Sequence, residues 1–411
     1  MASGLRVLSE RNFVVWIIGA FVSNTGHWLF TSTLAWLILT EYDASAAGVS
    51  LALQFGPSAL LMTVSGRIAD TFDRKHTLLI CQGAFALVAS ASGLAVMLGY
   101  TELWVMLSAS GAFGLVSAFE YPNRHAFVAE LVSRAQLPGA VGLNTAVYNL
   151  TRMGGPALAG VLTAAVGGGW ALLAAAFTYL WMAGAITSVT RVAGRPLRSA
   201  AGSRFRPVLR LAANHVELLA TGLIVFVISG FGMNYPIFVA AMTTLLGSDV
   251  RGYGVLLGML AAGAFVGAMV SAHRSRGNVR SVIGPGIGFG VATAAGAFAP
   301  NGLVYGLLLC VIGFLASTML TSASASIQLT SPPELRGRMM AAYMAVLMGS
   351  AIIGSPTMGV ITAELGPRVA LAIAGTSSVV AALAGLAMTY RAHVRRAETS
   401  SAADGIAEID R

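Results

Sequence analysis

Asn24, His27, Trp28 and Thr31 recur at i, i+3, i+4 and i+7 inside an apolar run, which places four hydrogen-bonding side chains on one face of a helix. Asn144, Tyr148 and Arg152 recur at every fourth residue of a later run, on the stripe that continues to Pro156. A third group, Phe231, Asn234 and Tyr235, lies in the segment GFGMNYP, where Gly230, Gly232 and Pro236 weaken a helix. Met340, Met344 and Met348 follow at i, i+4 and i+8, a deformable surface suited to varied apolar ligands. Sets of this kind bind and orient a solute. No segment combines a nucleophile with a base and its orienting acid, or two catalytic carboxylates, so an enzyme is not expected. Six histidines are scattered, and Cys81 and Cys310 stand alone, so neither a metal nor another cofactor is expected. The glycine-rich GPGIGFG, residues 284–290, lacks a preceding strand and a following basic anchor, and reads as a close-packing helix face.

The elements that carry these residues follow from composition. With 56% hydrophobic and 10% charged residues and a mean hydropathy of +0.77, the chain requires lipid as its solvent. Backbone groups in lipid must be satisfied internally, and a helix needs about 20 apolar residues to cross. Twelve such runs lie near 12–40, 46–69, 77–99, 102–122, 138–165, 169–190, 214–246, 250–272, 281–299, 301–323, 338–364 and 367–391. The expected fold is an all-α integral membrane protein with twelve transmembrane helices in two six-helix bundles, residues 1–190 and 214–392. A cytoplasmic linker, 191–213, joins them, and the tail, 393–411, is expected to be disordered. The first run is too long for a signal-peptide core, so no cleaved leader is expected.

Basic residues set the orientation. With the N-terminus inside, 22 of the 25 Lys and Arg fall in cytoplasmic segments, so both termini are expected there. Topology and anionic headgroups account for the +9 net charge, and no nucleic-acid partner is needed. Composition points to a bacterial source and thus to the plasma membrane.

Repetition supports two related halves. NLTRMGGPALAGVLTAAVG from Asn149 has a counterpart about 200 residues later in GSAIIGSPTMGVITAELG from Gly349. Gly155, Pro156 and Gly160 in the first copy, and Gly354 and Pro356 in the second, would bend the fifth helix of each half and let a neighbour approach. Ordinary helix packing is the plainer explanation; placement in both halves favours an element at the interface between them.

These residues, together with GRIADTFDRK at 66–75, resemble the Major Facilitator Superfamily over residues 11–391. Gly66, Ala69, Asp70, Arg74 and Lys75 match that family's loop signature between helices 2 and 3, and Asp73 departs from it where glycine is usual. Residues 155–160 are similar to the helix 5 motif of antiporters and exporters, with Ala159 and Thr151 replacing glycines. Residues 119–160 resemble the branch of enterobactin and related siderophore or drug exporters.

The resemblance implies that Asp70 lies against the N-terminus of helix 11, and that Arg74 and Lys75 meet carboxylates, helix C-termini or headgroups. Gly66, Asp70, Asp73, Arg74 and Lys75 would then latch the two halves on the cytoplasmic side. Positive-inside charge alone explains Arg67 and His76, and is an alternative reading of Arg74 as well. The resemblance also implies an arginine in helix 4 of proton-coupled exporters. Residues 103–119 hold none, so that part of the machinery is expected to be missing or moved.

The polar stripes are the expected solute contacts: Asn24, His27, Trp28, Thr31, Tyr148, Arg152, Phe231, Asn234, Tyr235 and Met344. Arg152 lies about 20 Å into its helix at about 1.5 Å per residue. It could bind a catecholate or carboxylate solute, aided by His27, or pair with Glu120, or bond carbonyls beside Pro156. His27 could titrate near neutral pH or sit neutral in a hydrogen bond. With Glu120 and Glu217 it forms the set of proton-coupling candidates. The function expected is export of amphipathic small molecules by a monomer exchanging them for protons, with lipids as the other partner. A nutrient importer on the same fold and a transporter-like sensor or scaffold are the alternatives.

Overall fold

Short polar caps cut the apolar sequence into helices. Asp43 accepts the N–H of Ala46 at 2.8 Å and Asn301 accepts that of Val304 at 3.0 Å, each satisfying a donor that the first helical turn leaves free. Gly167 and Gly366 end the fifth helix of each half with φ of +87° and +86°, a backbone only glycine adopts freely. The computed structural model describes residues 6–61, 64–65, 71–133, 136–190, 211, 215–274, 279–332 and 335–409.

The first half comprises α1 (Arg11–Glu41), α2 (Ala44–Leu60), α3 (Arg74–Met97), α4 (Leu103–Leu131), α5 (Leu137–Val166) and α6 (Gly168–Ser188). The second comprises α7 (Val216–Leu245), α8 (Val250–Arg274), α9 (Arg280–Gly296), α10 (Gly302–Thr330), α11 (Arg336–Leu365) and α12 (Pro367–Ile409). Among the described residues, nine of these helices are long and apolar enough to cross a membrane. α2 and α9 fall short at 17 residues each. Polar residues at Asn144, Tyr148 and Arg152 interrupt α5.

Two elements differ from expectation. α4 continues nine residues beyond 122, through Pro122 to Leu131, so Arg124 belongs to a helix and not to a loop. The tail expected to be disordered continues α12 to Ile409, in keeping with a composition rich in Ala and Glu. The weakness read at residues 230–236 is present: α7 consists of Val216–Val227, a π-helical turn at Ile228–Gly232, and Tyr235–Leu245.

Packing repeats between the halves. α3 lies on α6 as α9 lies on α12, and α2 lies on α4 as α8 lies on α10. Across the halves, α2 packs against α11 and α5 against α8. Gly160 meets Gly254, and Gly359 meets Gly48, backbone to backbone; a Cβ on either Gly160 or Gly359 would collide with the facing helix. Trp36 of α1 stacks on Tyr253 of α8 with centroids 4.8 Å apart. These contacts join the halves on the side of the α1–α2, α5–α6 and α7–α8 connections. Toward the opposite, basic face, α4–α5 and α10–α11 enclose the largest cavity described below.

Candidate functional site

Three neighbouring cavities lie at or beside the space between the halves, and Tyr148 of α5 lines all of them. The largest, about 380 Å³, is walled by α4, α5, α10 and α11 in the parts nearest the basic face. This volume suits a small-molecule site. A second, about 70 Å³, lies deeper between α1, α2, α5, α7 and α11, and a third, about 20 Å³, lies within the first half with Met348 of α11 at its edge.

Arg124, buried in α4, organises the smallest cavity. It is in direct contact with the carboxylate of Glu120 one turn earlier and with the side-chain oxygen of Asn24 on α1, and donates to Ser23 Oγ at 3.2 Å. Gln82 of α3 donates to Glu120 at 3.5 Å and accepts from Ser23 at 3.3 Å. Three helices thus supply the partners that two buried charges require. The expected absence of a helix 4 arginine is corrected: the helix extends past the apolar window, and Arg124 lies on it. Glu120 and Arg124, at i and i+4, were the available signal.

Arg152 has a different environment. Its guanidinium lies 5.8 Å from the centre of the Trp28 ring and its Nη2 lies 3.9 Å from the Met233 sulfur. The expected alternative of an Arg152–Glu120 pair is overturned, because Glu120 is engaged by Arg124. No carboxylate pairs with Arg152 among the described residues.

The other expected solute contacts divide. Asn24, His27 and Trp28 line the smallest cavity, where the His27 ring packs 4.7 Å from Phe113 and 6.2 Å from Phe85, centre to centre. Thr31 lines none of the three cavities: fully buried, it donates to Gln54 of α2 at 2.8 Å, because its end of the stripe faces the α1–α2 contact. Asn234 lines the 70 Å³ cavity but also repairs the break in α7, donating to Gly230 O at 2.6 Å and accepting from Ser355 at 2.6 Å. Phe231 and Tyr235 pack against the core of the second half and line none of the three cavities. Met344 lines the largest cavity. Glu217, in the first turn of α7, lines none of the three.

Of the expected latch, Gly66 and Asp70 lie outside the described residues. Asp73 caps α3, accepting the His76 N–H at 2.9 Å. Arg74 pairs with Glu130 of α4 at 2.7 Å, and Lys75 donates to the carbonyls of Thr187 and Val189 at the C-terminal end of α6 at 3.1 and 2.7 Å. A carboxylate and a helix C-terminus are the partner types expected, but these contacts tie α3 to its own half.

The bend residues also separate by role. Gly155 admits Trp28 of α1, and Gly354 admits Gly230 of α7, so both serve packing within a half. Gly354 is thereby corrected from an interface residue, while Gly160 does face the other half. Pro156 and Pro356 lie inside α5 and α11.

Two pseudo-symmetric six-helix bundles around a solute-sized central cavity define a major facilitator transporter. The fold matches the nucleoside transporter NupG (TM-score 0.71, 13% identity, covering 92% of this chain and 99% of that one). It also matches a bacterial homologue of the lysosomal transporter Spinster in an inward-facing, unoccupied conformation (TM-score 0.69, 14% identity, covering 92% and 94%). At such identities these likenesses show the fold alone. The chain belongs to the transmembrane secretion effector family of the major facilitators, whose model matches residues 2–407. Among curated relatives, the multidrug efflux pump Tap of Mycolicibacterium fortuitum is 28% identical over 84% of this chain and 87% of its own. The enterobactin exporter EntS of Salmonella typhimurium is 26% identical over 82% of each. The staphyloferrin A transporter of Staphylococcus aureus is 29% identical over 39% of this chain, which spans only 41% of that relative. Family and structural neighbours are transporters, not enzymes.

Proposed function

We propose that this transporter is a secondary active exporter of amphipathic small molecules, siderophore-like or drug compounds, working by proton antiport in a bacterial plasma membrane. The basic face is cytoplasmic and carries both termini, so the largest cavity opens inward and loads solute from the cell. Residues 1–190 and 214–392 move as two bodies joined by the linker 191–213. A single chain encloses the cavity, and the working unit is a monomer.

The observation that carries this reading is the buried Glu120–Arg124 pair, which borders the cavity system and is held to α1 through Asn24 and to α3 through Gln82. Proton transfer to Glu120 removes its attraction for Arg124. The arginine then leans on Asn24 and Ser23, which shifts α4 relative to α1 and couples protonation to helix packing. The mostly apolar wall of the larger cavity, with scattered hydroxyls from Thr145, Thr321 and Ser324, supports amphipathic cargo. Likeness to Tap and EntS supports the outward direction.

The test is flux in proteoliposomes under an imposed pH gradient. Solute movement opposite to protons, lost in Glu120→Gln, is expected. Movement in the same direction as protons would make the protein an importer, and gradient-independent movement would make it a facilitator.

A further inference from the structure

Arg152 stands in the wall shared by the 380 Å³ and 70 Å³ cavities, and no other residue lining either one carries a formal charge. A guanidinium offers five N–H donors. The protein meets them with a thioether sulfur and an aromatic face, both weak acceptors. Two more donors border the smaller cavity: Trp28 Nε1 and the Ser229 hydroxyl are buried without a hydrogen-bond partner among the described residues. Arg124 does not compete for an anion, since Glu120 neutralises it. A guanidinium with only weak acceptors and two unpartnered donors, gathered where neither wall carries a negative charge, complement an acceptor-rich group carrying negative charge.

The two spaces differ in character. The smaller has room for a carboxylate or a few waters, and the larger is walled chiefly by Leu320, Leu329, Tyr343, Met344 and Leu347. Tyr148, Arg152 and Leu347 belong to both walls.

Building on the exporter reading, we propose that the solute is an organic anion. Its charged head, a carboxylate or phenolate, sits among Arg152, Trp28 and Ser229 in the smaller cavity, and its apolar body fills the larger one. A cation of the same shape finds a guanidinium of its own sign and no carboxylate in either wall, so the site selects by charge as well as by size.

The probes are naphthoate, naphthamide and naphthyltrimethylammonium, which share one apolar body and differ in head charge. Calorimetric titration of the detergent-solubilised full chain measures their binding without reference to direction or coupling. Naphthoate should bind about tenfold or more tightly than naphthamide, with the cation weakest. Arg152→Gln should bring naphthoate to the level of naphthamide, Arg152→Lys should retain the order with weaker binding, and Ser229→Ala should weaken naphthoate alone. Equal or tighter binding of the cation to the wild type overturns the proposal whatever the variants do, as does an anion preference that survives in Arg152→Gln. A failed exporter reading would instead show in proteoliposome flux, with the charge order in binding unchanged.

Discussion

Replacing Glu120 by Gln tests whether the pair with Arg124 is the coupled element of the fold. Both side chains are 7% exposed. Two unit charges about 4 Å apart attract by about 4 kcal/mol at an effective dielectric of about 20, and stranding one member of a buried pair costs about 3–5 kcal/mol. Gln keeps an acceptor for Arg124, and Asn24 and Ser23 remain bonded to it. The expected loss for Glu120→Gln is therefore about 2–3 kcal/mol. Arg124→Gln leaves Glu120 with Gln82 as its remaining partner among the described residues, at 3.5 Å, and should cost about 3 kcal/mol. The double variant removes both charges together, so it should be more stable than the sum of the single losses by about 2 kcal/mol. Denaturant unfolding in detergent micelles, followed by tryptophan fluorescence, measures all four species, and the same proteins are assayed for flux under a pH gradient. Additive losses, or a Glu120→Gln protein with wild-type stability and wild-type response to the gradient, would refute the reasoning.

Asp73→Ala should destabilise by about 1 kcal/mol through loss of the α3 cap, while Asp73→Ser keeps the cap and should restore stability; equal unfolding midpoints for the two would contradict capping. Gly160→Leu should wedge α5 from α8, lengthen spin-label distances between them on the Gly167 side and abolish turnover, so unchanged distances with normal transport would count against a closed interface there. The backbone N–H of Ala46 and the hydroxyl of Ser45 hold the Asp43 carboxyl below its ordinary range. Its stabilising contribution is thus complete above about pH 4 and disappears as pH falls through the lowered value. Asp43→Asn should flatten that acid limb of the stability profile, and an unaltered profile would remove Asp43 from the account.

Much of the scaffold was legible because lipid imposes one rule on every segment: each backbone group must be satisfied within a helix. Apolar runs therefore marked the helices, and Gly230, Gly232 and Pro236 marked the break in α7. The paired GGP and GSP segments marked the repeat, which recurs in space with Gly160 on Gly254 and Gly359 on Gly48. Reading failed where a charge was taken to mean the end of a helix. Arg124 resembled loop charge because two of its partners, Asn24 and Ser23, lie on α1, which only folding brings beside α4.

By itself the sequence determined the membrane class, the number of helices, the twofold repeat and the faces on which polar residues lie, since period and hydropathy are properties of a single segment. Tertiary structure alone decided what each polar face meets. It turned Thr31 toward Gln54, brought Arg74 beside Glu130 and Lys75 beside the end of α6, and gave Arg124 the side chains of Asn24 and Ser23 while leaving Arg152 beside an aromatic ring and a sulfur atom. The physical reason is that the cost of a buried charge depends on partners distant in sequence.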